Sequence, residues 1–355
     1  NQYVRQKIFT IAFLIYLNSL TKIISMIITR TPFRISFAGG GTDLREFYSK
    51  EPGQVISTSI NKFIYVVIKR QLGIVEHKYR ISWSKVEFTN RIEDIEHPIV
   101  REALELFEID FPIEITTFTD IPGQTGLGSS SAFTVCLVHA LHALKGERVT
   151  KHVLAHEAAR IEVDLLSRSM GKQDHYAAAY GNLNVFTFNS NEVVSVEPVL
   201  YRQESKKAIE KNLMLFYLAM KRDASEILDT QKRETQNKRE NLRELQSLVE
   251  PLRQIFSDGK DLNQFGEILH QGWEIKRKLT NVISSTEIDI YYDKARKAGA
   301  IGGKLLGAGG GGFLLFYVVK EKQKAVREAL SDLYYMPVGF DDGGTRITYY
   351  DQMLT

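Results

Sequence analysis

The sequence predicts an α+β protein, and three observations support this fold class. Apolar and β-branched runs typical of strands, such as Val55 to Arg70 and Ile113 to Thr119, occur in the first half of the chain. The second half carries charged segments with apolar residues at helical spacing, such as residues 262–279. No internal repeat or low-complexity linker is visible. With 355 residues, the chain is long enough for two packed domains.

The individual elements follow from local patterns. The first strand is predicted from Ile27 to Ala38, and Pro251 should interrupt or kink the helical stretch 224–256. The other predicted strands are 55–70, 79–88, 113–119, 182–188, 213–220, 313–319 and 345–350. The predicted helices are 44–49, 99–107, one that opens at residue 129, 153–166, 224–256, 262–279, 288–298 and 323–333.

Composition excludes some classes of function. A formal net charge of +3 is small for this length and gives no case for nucleic acid binding, although mild basicity suits an anionic substrate. The single cysteine, Cys136, excludes an intramolecular disulfide and fits a reducing cytoplasm. Because Cys136 lies in an apolar helical run, we expect it in the core.

Residues 1–25 are predicted to be a non-native or upstream extension. The apolar run Ile8 to Leu17 follows Arg5 and Lys7 and resembles a signal-peptide hydrophobic region, but no clear cleavage site follows it. It is shorter than the roughly 20 residues that span a bilayer. A peripheral membrane anchor is the alternative, and no stable membrane association is expected.

The segment Ile121 to Ala132 predicts a phosphate site. Its three glycines allow the backbone to approach a polyanion closely, and it joins a predicted strand to the start of an apolar helix. Ser129 follows Gly128 where a P-loop requires lysine. A dinucleotide fingerprint at 307–312 precedes a strand, which is the wrong context. A tight turn is the alternative for any one glycine loop, but 39–41 and 307–312 are further loops of this kind.

The pattern Pro-x-x-x-Gly-Leu-Gly-Ser-Ser-x-Ala, at 122–132, resembles the central motif of the GHMP small-molecule kinases. The first and third motifs of that family match 30–43 and 304–313, in the same order and spacing. The resemblance implies an N-terminal ATP-binding domain (26–205) like ribosomal protein S5 domain 2. It also implies a ferredoxin-like C-terminal domain (206–355).

Three segments resemble the branch of the family that phosphorylates D-glycero-D-manno-heptose derivatives, namely 39–43, 97–104 and 171–176. The tryptophan that fucose kinases usually carry in the first motif is absent. The resemblance implies transfer of the ATP γ-phosphate to O-1 of D-glycero-α-D-manno-heptose 7-phosphate. Another sugar (L-fucose, galactose or unphosphorylated heptose) and a non-catalytic nucleotide- or sugar-binding protein are the alternatives. A homodimer is compatible with these observations.

Carried over residue by residue, the resemblance implies ATP and Mg²⁺ as cofactors and assigns three sets of residues. The ATP-binding residues are Pro122, Gly123, Gly126, Leu127, Gly128, Ser129, Ser130, Ser131, Gly309 and Gly310. The sugar or sugar-phosphate substrate is bound by Arg34, Gly40, Gly41, Thr42, Asp43 and Asp174. Mg²⁺ is held by Ser130 and Glu162, whose hydroxyl and carboxylate oxygens suit that ion.

The resemblance makes Asp174 the catalytic aspartate, which either takes the proton of the sugar hydroxyl or orients it. Arg34 is its cationic neighbour, and a helix N-cap is the alternative role for Asp174. Weaker candidates are Trp83 for adenine, for which a core or edge-strand role is favoured, and Lys172, Lys221 and Arg222 for a sugar-borne phosphate. His97 is expected to pack or cap locally. Relatives commonly have Thr-Gly near 218–219, which this chain lacks.

Overall fold

The computed structural model describes residues 22–219, 229–230, 238–279 and 283–354. The strands of these ranges are β1 (Lys22–Ala38), β2 (Gly53–Arg70), β3 (Tyr79–Ser82), β4 (Val86–Thr89), β5 (Ile113–Thr119), β6 (Leu183–Phe188), β7 (Val194–Pro198), β8 (Leu213–Leu218), β9 (Gly302–Leu305), β10 (Gly312–Tyr317), β11 (Tyr334–Met336) and β12 (Arg346–Leu354). Two sheets with helices packed on them confirm the α+β class.

The helices fall on both halves of the chain. They are α1 (Arg45–Tyr48), α2 (Pro98–Leu106), α3 (Ser129–Leu144), α4 (Lys151–Ala159), α5 (Gln173–Tyr180), α6 (Gln203–Asn212), α7 (Arg239–Ser247), α8 (Val249–Asp258), α9 (Asn263–Arg277), α10 (Thr286–Lys297) and α11 (Gln323–Ala329). A π-helical turn, Arg160–Leu165, follows α4 directly.

The first sheet has the order β12-β1-β2-β5-β3-β4, and β6 pairs with the first part of β2 and carries β7 on its other edge. The register of β1 with β2 shifts between Pro32 and Arg34 and again between Ser36 and Ala38. Such bulges bend a strand and redirect its side chains, and they recur beside functional sites. Here Phe33 and Phe37 are buried in the core next to the shifts.

Helix α3 is the core helix of the first domain and packs on β1 and β2. Nearly all of its side chains are buried, which explains its apolar run without an amphipathic period. Cys136 is fully buried, as predicted, and burial raises the pKa of its thiol to about 11. The thiol is therefore part of the core.

The second sheet has the order β11-β8-β10-β9 and is antiparallel throughout. Helix α9 packs on β9 and β10 through Phe265, Leu269 and Trp273, the apolar face that the sequence predicts. Pro251 lies in the first turn of α8, where its missing N–H has no intrahelical acceptor to lose. The chain bends before it, at Leu248, between α7 and α8. Parts of the predicted helix 224–256, residues 224–228 and 231–237, lie outside the described residues.

The two ends of the described chain meet in the first sheet. β12 pairs antiparallel with β1, so the last strand of the predicted 206–355 domain is hydrogen-bonded to the N-terminal sheet. β1 begins at Lys22, five residues before the predicted start, because its first residues pair with the end of β12. The apolar run 8–17 lies outside the described residues. Across the described ranges, no helix is both long and apolar enough to cross a membrane.

A chain that begins at Met26 tests the predicted extension 1–25. The truncation removes the first pairs of β1 with β12 and the Ser25–Asp351 hydrogen bond of 3.1 Å. We expect it to stay folded and as active as the full chain, because all glycine loops lie downstream. Its melting temperature should fall by about 2–4 °C, the scale of ~1 kcal/mol in a domain of this size. Calorimetry against a chain that begins at Lys22 measures the loss, and an unfolded protein would show that residues 1–25 belong to the native core.

Candidate active site

The segment Ile121 to Ala132, here called the serine loop, leads into the N-terminus of α3 at the site. Gly128 is the residue before α3 and has φ +76°, a left-handed conformation that favours glycine. No side chain caps this helix end. The first N–H groups of α3 therefore lack an intrahelical acceptor, and the positive end of the helix dipole adds to their attraction for an anion. This geometry is suited to phosphate.

The third glycine loop, residues 307–312, contacts the serine loop from the second domain. A Cβ at Gly126 would lie 2.5 Å from the Leu306 carbonyl oxygen, and one at Gly307 would lie 2.4 Å from the Gly126 Cα. A Cβ at Gly312 would lie 2.3 Å from the Thr125 carbonyl oxygen. The two domains thus touch backbone to backbone at this point.

A cleft opens between these two loops. Of the predicted ATP-binding residues, it is lined by Gly126, Gly128, Ser129, Ser130, Ser131 and Gly309. Four others lie beside the cleft without lining it, namely Pro122, Gly123, Leu127 and Gly310. Leu127 is fully buried and its carbonyl accepts the Arg34 N–H, and the Gly310 N–H donates to the Ile283 carbonyl.

Arg34 and Asp174 form a bidentate ion pair at the bottom of the cleft. The Arg34 Nε and Nη2 donate to the two Asp174 carboxylate oxygens at 2.7 and 2.6 Å, and Nη1 donates to the Gly126 carbonyl at 2.8 Å. Both side chains are largely buried. The guanidinium therefore joins the predicted catalytic carboxylate to the phosphate loop.

Asp174 is not a helix N-cap. The cap of α5 is Lys172, and Asp174 is the second residue of the helix. In the first turn, its negative charge is favoured by the helix dipole. Its carboxylate thus faces the cleft and Arg34, which is compatible with the predicted catalytic role.

A second cavity adjoins the cleft and contains most of the predicted substrate-binding residues. It is lined by Arg34, Gly40, Gly41, Asp43 and Asp174. The Asp43 carboxylate accepts N–H groups from Gly41 (3.0 Å) and from the backbone and amide of Gln173 (3.3 and 3.1 Å). Burial, with a further contribution from the Asp174 charge, raises the pKa of Asp43.

Thr42 has a structural role in the turn that holds Asp43. It is fully buried, and its hydroxyl donates to the carbonyls of Gly39 (2.7 Å) and Gln54 (3.0 Å). It does not line the cavity, unlike its predicted partners. The turn that it stabilises carries Gly40 and Gly41 along the cavity wall.

Glu162 lies on the π-helical turn and contacts the serine loop directly. It is fully buried, and its carboxylate accepts hydrogen bonds from Ser130, from Thr134 (2.8 Å) and from His175 (3.1 Å). Burial opposes its ionisation, but the hydrogen bonds from His175 and Ser130 and the Arg168 charge outweigh it and lower the pKa of Glu162 to about 2. The carboxylate is therefore ionised, as a metal ligand must be.

Ser130 and Glu162 already share a cation, because Arg168 donates to both oxygens, at 2.7 and 2.6 Å. Among the described residues, no group of three His, Cys, Asp or Glu side chains is placed to hold a metal. A magnesium ion here would use one hydroxyl, one carboxylate and oxygens of the ATP phosphates, a hard-oxygen set that suits it. The donor chemistry fits the ion, and Arg168 would have to release these oxygens.

The weaker candidates are placed away from the two cavities. The Lys172 ammonium pairs with Glu192, and the indole of Trp83, in the turn after β3, packs edge-on against the His97 ring at 4.8 Å. His97 caps α2, where its Nδ1 accepts the Val100 N–H, as expected. Residues 221–222 lie outside the described residues, and 218–219 end β8 beside the third glycine loop.

Several site residues were not among the sequence predictions. Met170 lines both the cleft and the second cavity, and Lys276 and Lys304 line the second cavity. Thr134 could have been found, because it lies four residues after Ser130 on the same helix face. The others come from distant segments and carry no local signal.

The fold and site define a class of protein, a two-domain α+β protein with a helix-N-terminal phosphate cradle beside a carboxylate–guanidinium pair. Comparison with known proteins gives its family. The family model for the GHMP kinase N-terminal domain matches residues 98–182, and that for the C-terminal domain matches residues 240–335, together half of the chain. The chain belongs to the GHMP kinase family. It is a phosphotransferase with an alcohol group of a sugar as acceptor, and ATP is the donor that the family uses.

Individual relatives cover nearly the whole chain. A D-glycero-α-D-manno-heptose 7-phosphate kinase of Campylobacter jejuni is 28% identical over 85% of this chain and 92% of its own length. A Thermotoga maritima galactokinase is 24% identical over 88% and 95%, respectively. The crystal structure of a D-glycero-D-manno-heptose 1-phosphate kinase from Bacteroides thetaiotaomicron matches 91% of this chain and 99% of its own, with a TM-score of 0.75 and 24% identity. That likeness confirms the fold.

Replacing Gly128 with valine tests the phosphate cradle. A Cβ at this position would lie 3.1 Å from an Asp174 carboxylate oxygen and 3.3 Å from the Arg34 Cγ, on a backbone with φ +76°. We expect ATP binding to be lost, since the side chain would strain the loop and push the ion pair. Titration calorimetry with ATP measures the change.

Gly73→Val is the matched control, because a Cβ there would meet nothing within 4 Å. It should bind ATP normally. A folded Gly128→Val protein with normal nucleotide affinity would contradict the assignment of this loop.

Proposed function

We propose that the protein transfers the γ-phosphate of ATP to O-1 of D-glycero-α-D-manno-heptose 7-phosphate and forms the 1,7-bisphosphate. We assign the cleft between the two loops to the nucleotide (the nucleotide cleft) and the second cavity to the sugar (the sugar-side cavity). The observation that carries the reaction is that Arg34 and Asp174 line both of them. A group bound in each cavity would meet at this pair. The heptose is supported by the three segments in 39–43, 97–104 and 171–176 and by the relative from Campylobacter jejuni.

The cradle and the cavity bring the two substrates together. The N–H groups at the start of α3 and the backbone of the glycine loops hold the ATP phosphates, while Asp43 accepts hydrogen bonds from sugar hydroxyls. Phosphoryl transfer needs mainly positioning and charge stabilisation. The rigid contact of the two glycine loops supplies the positioning.

Asp174 and Arg34 act at the acceptor hydroxyl. Asp174 orients the hydroxyl and accepts its proton as the oxygen attacks the γ-phosphorus. Arg34 holds the Asp174 carboxylate in place through its bidentate hydrogen bonds, and its guanidinium stabilises the negative charge that develops on the transferred group.

Magnesium belongs to this proposal as the partner of ATP. Ser130 and Glu162 would hold it, and when bound it would neutralise charge on the phosphate oxygens. In the described structure, the Arg168 guanidinium donates to the oxygens of both side chains. A cytoplasmic setting, expected from the single buried cysteine, also stays a proposal.

Two alternatives concern the acceptor and the chemistry. Galactokinases are among the relatives, and a mevalonate kinase of Methanothermobacter thermautotrophicus is 29% identical over 61% of this chain, so another acceptor is the first. The second is a GHMP-fold protein that binds nucleotide and sugar without turnover. The paired Arg34 and Asp174 argue against it, since a protein that only binds has no use for a carboxylate at the meeting point of the cavities.

Asp174→Asn separates catalysis from binding. The substitution keeps the shape of the side chain but removes its charge and its ability to accept a proton. Turnover should fall roughly 100-fold or more, the usual scale for a lost general base, while ATP and sugar still bind. Asp332→Asn, an exposed carboxylate far along the chain, is the matched control and should be as active as wild type. An unchanged rate of sugar phosphorylation in Asp174→Asn would remove the catalytic role.

A panel of acceptors tests the proposed substrate. ADP release should be fastest with D-glycero-α-D-manno-heptose 7-phosphate, and phosphorus NMR should show a new anomeric phosphate. Galactose, L-fucose, mevalonate and unphosphorylated heptose are the competing acceptors. Faster turnover of any of these would replace the proposed substrate, and binding without turnover at all metal conditions would favour the binding protein.

A further inference from the structure

Two lysines from the second domain line the sugar-side cavity. Lys276 lies in the last turn of α9, and Lys304 lies in β9, just before the third glycine loop. The Lys276 ammonium donates to the Gly307 carbonyl at 2.5 Å. The Lys304 ammonium donates to the carbonyls of Ser36 and Phe37, at 3.0 and 2.9 Å.

Neither ammonium has an acidic partner among the residues that the structure describes. Lys172 and Lys206, the other buried lysines of the described residues, each pair with a carboxylate. Burial, together with neighbouring cations that include Arg34, lowers the pKa of Lys276 to about 8 and that of Lys304 well below its usual value. Cations that are partly desolvated and held only by neutral carbonyls are costly unless an anion joins them.

The charges around the cavity are unbalanced. The Arg34 charge is matched by Asp174 in a bidentate pair, which leaves Asp43 opposite two lysines. The lining thus carries three cationic side chains, Arg34, Lys276 and Lys304, against two carboxylates, Asp43 and Asp174. The cavity that accepts the sugar therefore has an excess of positive charge, and a neutral sugar would not compensate for it.

We infer that Lys276 and Lys304 bind a phosphate group that the sugar substrate already carries, so that the enzyme selects a sugar phosphate over the neutral sugar. This inference rests on the proposed function and adds the residues that hold the phosphate already present on its substrate. A phosphate monoester is a dianion with three acceptor oxygens, which matches two ammonium groups. The lysines select, while Asp43 and Asp174 contact the hydroxyls.

The nucleotide is the other source of phosphate near these lysines. Both line the cavity with Gly40, Gly41 and Asp43, and neither lines the cleft formed by the serine loop. The cleft has its own donors in the α3 N-terminus and Arg34. The lining thus assigns the two lysines to the sugar side.

The test compares two acceptors that differ only in the phosphate, D-glycero-D-manno-heptose 7-phosphate and the same heptose without it. Wild-type enzyme should prefer the phosphorylated sugar by roughly 100-fold in kcat/KM. Lys276→Met and Lys304→Met should each reduce this preference roughly 10- to 100-fold, the scale of one lost charge-assisted hydrogen bond, with an unchanged KM for ATP. Lys276→Arg, which keeps the charge, should restore most of it.

Lys278→Met is the matched control, since this exposed lysine lies two residues from Lys276 at the end of the same helix. It should keep the wild-type preference. Circular dichroism and melting confirm that each variant is folded, and inorganic phosphate as a competitor of the sugar reports the site without turnover. Inhibition by phosphate should be competitive with sugar in wild type and weaker in Lys276→Met.

Each outcome separates the inference from the proposed function. If both methionine variants kept the wild-type preference for the phosphorylated sugar, the proposed substrate would stand and the lysine phosphate site would be overturned. Equal use of both sugars by wild-type enzyme would overturn the phosphate site and the proposed 7-phosphate substrate together, while the kinase class stands. If the methionine variants lost turnover equally with both sugars and raised the KM for ATP, the lysines would serve the transferred phosphoryl group, and the inference would be wrong. Tight, lysine-dependent binding of the sugar phosphate without any turnover would support the inference and contradict the kinase.

Discussion

The active site depends on one constraint, the direct contact of two backbones where the domains meet. Gly126 lies against Leu306 and Gly307, and Gly312 lies against Thr125, each too close for a Cβ. Side chains would hold the two loops apart by several ångströms. Where the loops touch, the cleft and the second cavity share lining residues, among them Arg34 and Asp174, as the proposed transfer between the two cavities requires.

The Arg34–Asp174 ion pair is hydrogen-bonded to one of the two loops that make this contact. Arg34 donates to the Gly126 carbonyl and to the Asp174 carboxylate at once, so one guanidinium fixes the distance between the serine loop and this carboxylate. Its position depends in turn on a register shift in β1. The β1 bulge, the Arg34 guanidinium and the serine loop are thus packed together. A side chain added at Gly128 would therefore press on Asp174 and Arg34.

Local sequence predicted those parts of the site that are contiguous in the chain. The serine loop, the first helix turn after it and the turn that carries Asp43 follow from glycine spacing and from the family motifs. What sequence could not give depends on tertiary packing. Arg168 and Met170 approach the cleft only because the chain leaves a π-helical turn at Leu165, and no propensity marks that turn. The return of β12 to β1 likewise needs a pairing across more than 300 residues.

The two lysines show why the second domain is more than a cover for the nucleotide. Lys304 donates to two carbonyls of β1, so it links the second sheet to the strand that carries Arg34. Lys276 donates to Gly307, within the loop that contacts Gly126. Methionine would fill the same space but would leave these three carbonyls without their donors, so the two ammonium groups stabilise the contact between the domains even without a ligand. A substrate phosphate, as inferred above, would add an anion to a lining with more cationic than acidic side chains. The residues that join the domains would then also contact the substrate.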